Sequence, residues 1–244
     1  HHDDRYHCRS FVQLSMPLSR QEQLLLEHFA QYISEHKKEF AEKVLTERTN
    51  QVTVVLEDIY QSQNASAALR TCECMGLQDV HIIENTTKYE VNKYVLKGSY
   101  KWLSLHRYKQ KNRNNTEACF KQLKENGYTL YATDPGAESI SVYDIDPCAS
   151  KVAFIFGNEL EGLSEHALAY ADHRIKIPMY GFTESLNISA SVAICLSAAI
   201  PKLKSAQENY GLSVEEKDQL RLAWYRKMVK RSEIIEKEFL RTNP

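Results

Sequence analysis

The chain has 244 residues and a mass of 28.2 kDa, with 43% hydrophobic and 26% charged residues but only 8 glycines and 6 prolines. This balance fits one large domain, or a domain of about 150 residues with appendages, and excludes a disordered, fibrous or repetitive chain. No uncharged apolar run approaches the roughly 20 residues of a membrane helix, the longest greasy stretch being residues 189–200.

The net charge of −1 conceals an uneven distribution. Residues 88–113 hold eight basic side chains against the single acid Glu90, residues 114–200 hold five against eleven, and residues 201–244 ten against seven. The six cysteines include no C-x-x-C pair, and Cys72 and Cys74 are too close for the usual zinc spacing. They read as reduced thiols of a cytoplasmic protein, with no metal expected. The opening residues His1, His2, Asp3 and Asp4 resemble neither a signal peptide nor a translation start and are expected to be left from a tag or from processing.

In chain order, Ser19 and Glu22 form a capping-box pair, and Leu25, Phe29, Ile33, His36, Phe40 and Val44 recur at helical spacing. One amphipathic helix is expected over residues 19–46, with His28 and His36 at its surface or core edge. A β-branched strand follows at 51–57, then a helix at 65–75 ending before Gly76, and a strand at 79–84. The alternation continues with strands at 103–108, 128–133, 151–156 and 174–177 and helices at 115–126, 164–170 and about 188–199. Such alternation implies an α/β fold, a parallel sheet with helices on both faces. Ser213 and Glu216 open a last, long charged helix carrying Leu222, Trp224, Tyr225, Met228 and Ile234 or Ile235. The expected organisation is an N-terminal helical extension (1–49), a core (50–200) and a C-terminal helical extension (201–244).

In open α/β sheets ligands bind beyond the carboxyl ends of the strands, and three loops there stand out. The first runs from Asn64 to Arg70: Asn64 fits a helix N-cap, and an arginine in an apolar helix calls for an anion such as phosphate. Read locally, the sequence favours Asn64 as a plain cap and Arg70 paired with a nearby acid such as Glu73 or Glu159. The second is Phe156-Gly157-Asn158-Glu159-Leu160-Glu161-Gly162, whose glycines suit close approach of backbone to a ligand, or a plain turn with acids favourable to the next helix. The third runs from Ile177 through Pro178, Met179, Gly181, Ser185, Leu186 and Asn187 into a small-residue helix, where Ser185 and Asn187 fit caps or a ligand-facing turn. Glu57 and Asp58 follow a strand and fit a solvated turn better than a ribose site. No G-x-G-x-x-G, P-loop, H-E-x-x-H or G-x-S-x-G occurs, which disfavours a nucleotide-cofactor oxidoreductase, a metalloenzyme and a serine hydrolase.

Residues 88–113 interleave Lys88, Lys93, Lys97, Lys101, Arg107, Lys109, Lys111 and Arg113 with Tyr89, Tyr94, Tyr100, Trp102, His106 and Tyr108. Cations for phosphates beside rings for bases favour RNA binding over a merely solvated face. Arg221, Arg226, Lys227, Lys230 and Arg231 in the last helix are expected to add phosphate contacts.

Taken together, N-x-x-x-x-x-R, F-G-N-E-x-x-G and I-P-M-x-G-x-x-E-S-L-N-I-S resemble the three motifs of the SPOUT-class RNA methyltransferases, specifically the TrmH family of tRNA/rRNA ribose 2′-O-methyltransferases. The resemblance covers residues 50–200, and the flanking helices look most like members that methylate the D-loop guanosine of tRNA. It implies a carboxyl-end trefoil knot holding S-adenosylmethionine against Thr133, Gly157, Ile177, Met179 and Leu186. It also implies a catalytic set of Asn64, Arg70, Glu159, Ser185 and Asn187, and a homodimer in which Arg70 of one chain faces the cofactor of the other. A ribosomal-RNA methyltransferase and an inactive RNA-binding protein of the same fold are the alternatives. Relatives often carry Pro and His before the first-motif asparagine, where this chain has Ser62 and Gln63.

Overall fold

The structure is a computed structural model describing residues 16–89, 98–136, 138–206 and 210–243. It comprises two compact units, one formed by Thr49–Tyr210 and the other by the chain ends, His1–Arg48 and Gly211–Pro244. The described elements begin with helices α1 (Arg20–Ala30) and α2 (Glu35–Glu47), then strand β1 (Val52–Glu57), helix α3 (Ser62–Cys74) and strands β2 (Asp79–Ile83) and β3 (Ser104–Tyr108). Helix α4 (Asn115–Glu125) precedes β4 (Tyr128–Thr133), β5 (Ile140–Ser141) and β6 (Lys151–Phe156), then α5 (Glu165–Tyr170), β7 (His173–Lys176), α6 (Ile188–Ala206), α7 (Val214–Met228) and α8 (Ser232–Thr242).

The strands form one parallel sheet in the order β3-β2-β1-β6-β4-β7-β5. Alternate side chains divide the core as the pleat requires. Val52, Val54 and Leu56 of β1 join Val152, Phe154 and Phe156 of β6 under α3 and α6. Val55, Ala153 and Ile155 point the other way, to Cys119, Phe120 and Leu123 of α4 and Ala167 of α5. Every residue of β1 and β2 is buried, the mark of a parallel sheet covered on both faces. Leu196, Phe154 and Phe120 are within 1% of full burial, and each contributes about 2 to 3 kcal/mol by transfer from water.

Three helices differ from the sequence expectation. Residues 19–46 form two helices: the Gln31 N–H turns back to the His28 and Phe29 carbonyls, and Ser34 restarts the chain in extended conformation. The break shifts the buried face, so α2 buries Ala41 and Leu45 while Phe40 is 62% exposed. Helix α6 continues past Pro201, which costs the Ser197 carbonyl its usual helical partner at a point where both residues are exposed. At 19 residues α6 has the length and composition of a membrane span, yet Val192, Cys195, Leu196, Ala199 and Leu203 are buried in the sheet core. The C-terminal segment is two helices separated by extended Val229 and left-handed Arg231, φ +56°.

In the terminal unit, Leu25, Phe29 and Ile33 pack with Leu222, Tyr225 and Val229. Arg221 and Arg226, expected to grip phosphates, are held by carboxylates instead: Arg221 by Glu42 and Asp218, Arg226 by Glu236. Their charge is thereby neutralised locally.

His81, on the α4 side of β2, is fully buried and stacks on His106 with ring centroids 4.6 Å apart. The Tyr108 hydroxyl donates to Gln122 Oε1 at 2.8 Å and lies 3.1 Å from His81 Nδ1, so that nitrogen is assigned the proton. Burial, and secondarily the charge of His106, hold His81 well below its ordinary 6.5. The unfolded chain therefore takes up a proton near 6.5 that the folded one refuses, and stability, complete above that pH, falls as pH drops through it. The melting temperature is expected to fall between about pH 7.5 and about pH 5, less steeply for His81→Phe; equal slopes in the two proteins contradict this.

Candidate active site

The chain builds β1, β2 and β3 outward on one side, then crosses to lay β4 on the other, with β6 filling the gap. The carboxyl ends of β1 and β6 mark this reversal, where open α/β sheets hold ligands. Residues 58–61, 157–164 and 177–187 form the loops there.

Groups from all three loops and from the first turns of α3 and α6 join in one hydrogen-bonded chain. Glu159 accepts from the main-chain N–H of Tyr60 at 3.0 Å and of Gln61 at 3.3 Å, and from Asn64 Nδ2 at 2.9 Å. Asn64 Oδ1 accepts from Asn187 Nδ2 at 2.9 Å, and Asn187 Oδ1 accepts from the main-chain N–H of Ser189 at 2.9 Å and its hydroxyl at 2.7 Å. Asn64 is thus oriented from both ends: its NH2 must face the carboxylate and its oxygen the Asn187 amide. It is not the N-cap expected from sequence. Helix α3 begins at Ser62 with Gln61 as its cap, which places Asn64 third in the helix and Ser62 and Gln63 in the first turn. The acceptor ahead of this helix is Glu159, an anion favoured at a helix N-terminus.

The second loop closes on itself. Asn158 and Gly162 exchange main-chain hydrogen bonds at 2.9 Å, Asn158 Oδ1 accepts from the Leu160 N–H at 2.8 Å, and Asn158 Nδ2 donates to the Asp58 carbonyl at 3.1 Å. Gly162 has φ +72°, and a Cβ at Gly157 would lie 2.2 Å from the Gly162 carbonyl carbon. A side chain at Gly157 would force the backbone to move, and one at Gly162 would be strained by its left-handed conformation. Glu57, expected in a solvated turn, is buried: it accepts from the Thr116 hydroxyl at 2.5 Å and from the hydroxyl and N–H of Ser164, the cap of α5, at 2.9 and 3.0 Å.

Arg70 is exposed on α3 and makes no hydrogen bond or ion pair with another described residue, so neither Glu73 nor Glu159 holds it. Ser185 is exposed and stands outside the hydrogen-bonded chain. Thr133, Gly157 and Ile177 lie at the carboxyl ends of the neighbouring strands β4, β6 and β7, with Met179 half-buried and Leu186 40% exposed beyond them. The Thr133 hydroxyl donates to the Ile155 carbonyl at 2.8 Å. No main-chain N–H from Met179 to Leu186 donates to another described residue. An apolar ledge beside unused main-chain donors fits an adenosine-bearing ligand.

Of the basic positions, Lys93 and Lys97 lie outside the described residues. Lys88, Lys101, Lys109, Lys111 and Arg113 are exposed. Arg107 instead grips Glu84 with two nitrogens, at 2.7 and 2.9 Å. Sequence reasoning missed Ser189, which follows Asn187 by two positions and completes its cap; Asp58, expected in a solvated turn, has φ +49° and a carboxylate held by three main-chain N–H groups. The five described cysteines are free thiols, and no metal-ligand cluster occurs among the described residues.

Known proteins resemble this chain in sequence and in fold. The model of the SpoU rRNA Methylase family matches residues 51–197. The tRNA (guanosine(18)-2'-O)-methyltransferase of Borreliella burgdorferi is 44% identical over 207 residues, 85% of this chain and 92% of that protein. The protein of the same name from Thermus thermophilus is 36% identical over 166 residues, 68% of this chain and 82% of that one. Among solved structures, the A. aeolicus TrmH/SpoU tRNA modifying enzyme superposes with a TM-score of 0.71 at 26% identity, covering 81% of this chain and 98% of that one. The AdoMet-bound rRNA methyltransferase of Sinorhizobium meliloti shares the fold at a TM-score of 0.55 and 24% identity, covering 63% and 57%. The chain belongs to the SpoU methylase family.

Proposed function

We propose that this protein transfers a methyl group from S-adenosylmethionine to the ribose 2′-hydroxyl of an RNA guanosine, position 18 in the D-loop of tRNA. The observation that carries the reading is the chain of hydrogen bonds from Glu159 through Asn64 and Asn187 to Ser189, which ties the three loops together on the helix that bears Arg70, a guanidinium without a partner among the described residues. The named activity of relatives at 44% and 36% identity supports the substrate.

Thr133, Gly157, Ile177, Met179 and Leu186 would hold the donor, which when bound supplies an electrophilic methyl on a sulfonium. The chain's own task is to present a ribose oxygen in line with that methyl and to stabilise the charge it develops. Arg70 serves as a clamp: its planar, five-donor fork binds a neighbouring phosphate and the forming alkoxide. Glu159 already accepts three N–H groups and acts as an anchor for Asn64; the hydroxyl proton leaves to water. Asn187 orients Asn64, and Ser185 is assigned to the ribose.

On this reading the protein is a cytoplasmic homodimer in which Arg70 serves the partner's donor site, and the second and third loops close a trefoil knot. The exposure of Arg70, and of Tyr180 at 97% and Phe182 at 108% on the third loop, supports a shared site. Lys88, Lys101, Lys109, Lys111 and Arg113 form the phosphate-binding face. Mapping 2′-O-methyl marks in total RNA with and without the gene is expected to lose the mark at the D-loop guanosine of tRNA. Loss of a ribosomal mark alone, or of none, contradicts the assignment.

A further inference from the structure

Asp58 is a non-glycine residue in the left-handed region, φ +49°, a conformation that costs about 1 kcal/mol or more unless the surroundings fix it. Its Oδ1 accepts from three consecutive main-chain N–H groups: Asn85 at 2.8 Å, Thr86 at 2.8 Å and Thr87 at 3.0 Å. Its own N–H donates to the Ile83 carbonyl at 3.0 Å, and its carbonyl accepts from Asn158 Nδ2 at 3.1 Å, one residue before Glu159. Asp58 thus joins the active-site loop after β6 to the loop after β2.

That second loop is fixed from its other side too. The Glu84 carboxylate accepts from the Tyr89 N–H at 3.0 Å and binds Arg107, and Asn85 Nδ2 donates to the Thr116 hydroxyl at 2.9 Å. Tyr89 is itself buried. Between these anchors Lys88 is exposed, without a hydrogen bond or ion pair to another described residue. Residues 84–89 are a fixed base presenting one ammonium to solvent.

Resting on the function proposed above, we infer that Asp58 is a positioning residue for the RNA: by clamping residues 85–87 to the loop that carries Glu159, it sets where Lys88 meets a substrate phosphate relative to the reacting ribose. It touches neither donor nor RNA and acts through Lys88.

The test compares Asp58→Gly, Asp58→Asn and Lys88→Ala in the full chain. Glycine accepts the left-handed backbone without strain but supplies no acceptor; asparagine tolerates it and keeps an oxygen in place. Asp58→Gly is expected to lose hydrogen-exchange protection at amides 85–87 and to weaken tRNA binding, measured without donor, by about five-fold, the scale of one phosphate contact. KM for tRNA rises equally while kcat and S-adenosylmethionine affinity hold. Asp58→Asn restores binding, and Asp58→Gly adds nothing in the Lys88→Ala background. Unchanged tRNA affinity in Asp58→Gly, or a parallel fall in kcat and donor affinity, overturns the inference. A wild-type chain that methylates no RNA overturns the reading beneath it, and the donor-free binding contrast still decides the role of Asp58.

Discussion

Arg70→Ala is expected to lower kcat for methyl transfer by about 10²- to 10³-fold while leaving S-adenosylmethionine affinity unchanged, the cost of removing one charge-stabilising group from a preorganised site. Arg107, Arg174, Arg221 and Arg226 are each paired with a carboxylate, Arg174 with Asp134 at 3.5 Å. Arg70 has no such partner among the described residues, although it stands on the helix whose first turns carry Asn64. A guanidinium left uncompensated there is available to a phosphate and to the oxygen losing its proton. Arg70→Lys keeps the charge and loses the fork, and should fall between the two. Single-turnover rates with calorimetric donor affinities make the check: a lysine variant as fast as wild type contradicts the clamp, and an alanine variant that fails to bind donor contradicts the division of roles.

The second large effect is expected from Gly157→Ala. The added Cβ would lie 2.2 Å from the Gly162 carbonyl carbon and 2.3 Å from its oxygen and the Leu163 nitrogen, all main-chain atoms that cannot swing aside. Phe156, just before, is buried in the sheet and fixed in register with Leu56 of β1, so the loop must yield. Yielding breaks the paired main-chain bonds of Asn158 and Gly162 and draws Glu159 away from Asn64. We expect destabilisation of about 1 to 3 kcal/mol or more, with donor affinity reduced at least about ten-fold. At Gly181 the nearest atom to an added Cβ is the Thr183 nitrogen at 4.0 Å, so Gly181→Ala should leave the melting temperature unchanged. Thermal melts and calorimetry on the two variants make the comparison; equal melting temperatures contradict the steric account.

Much of the core was legible because its strands are short apolar runs bounded by breakers. Residues 128–133 and 151–156 match β4 and β6 end to end, and Gly127, φ +81°, stops α4 where the glycine stood in the sequence. The three loops were legible as motifs, and the structure joins Asn64, Glu159 and Asn187 from them, residues 95 and 123 positions apart for Asn64 and its two partners. What escaped were choices made by distant partners. Arg107 reads as a free cation until the fold brings Glu84, 23 residues earlier, beside it. Asn64 reads as a cap because asparagine favours that position, but Glu159 on another loop supplies the acceptor and the helix starts earlier. Periodicity ran through residues 19–46 because Ile33 is buried on both accounts; the break that contains it appears only in the backbone of Gln31 and Ser34.

The central claim is that one sugar oxygen receives the methyl. Two synthetic tRNA transcripts differing only in ribose or 2′-deoxyribose at the D-loop guanosine, each incubated with the protein and S-adenosylmethionine labelled in its methyl group, test it directly. Label incorporated into the ribose transcript alone is the predicted result; label in both transcripts, or in neither, contradicts it.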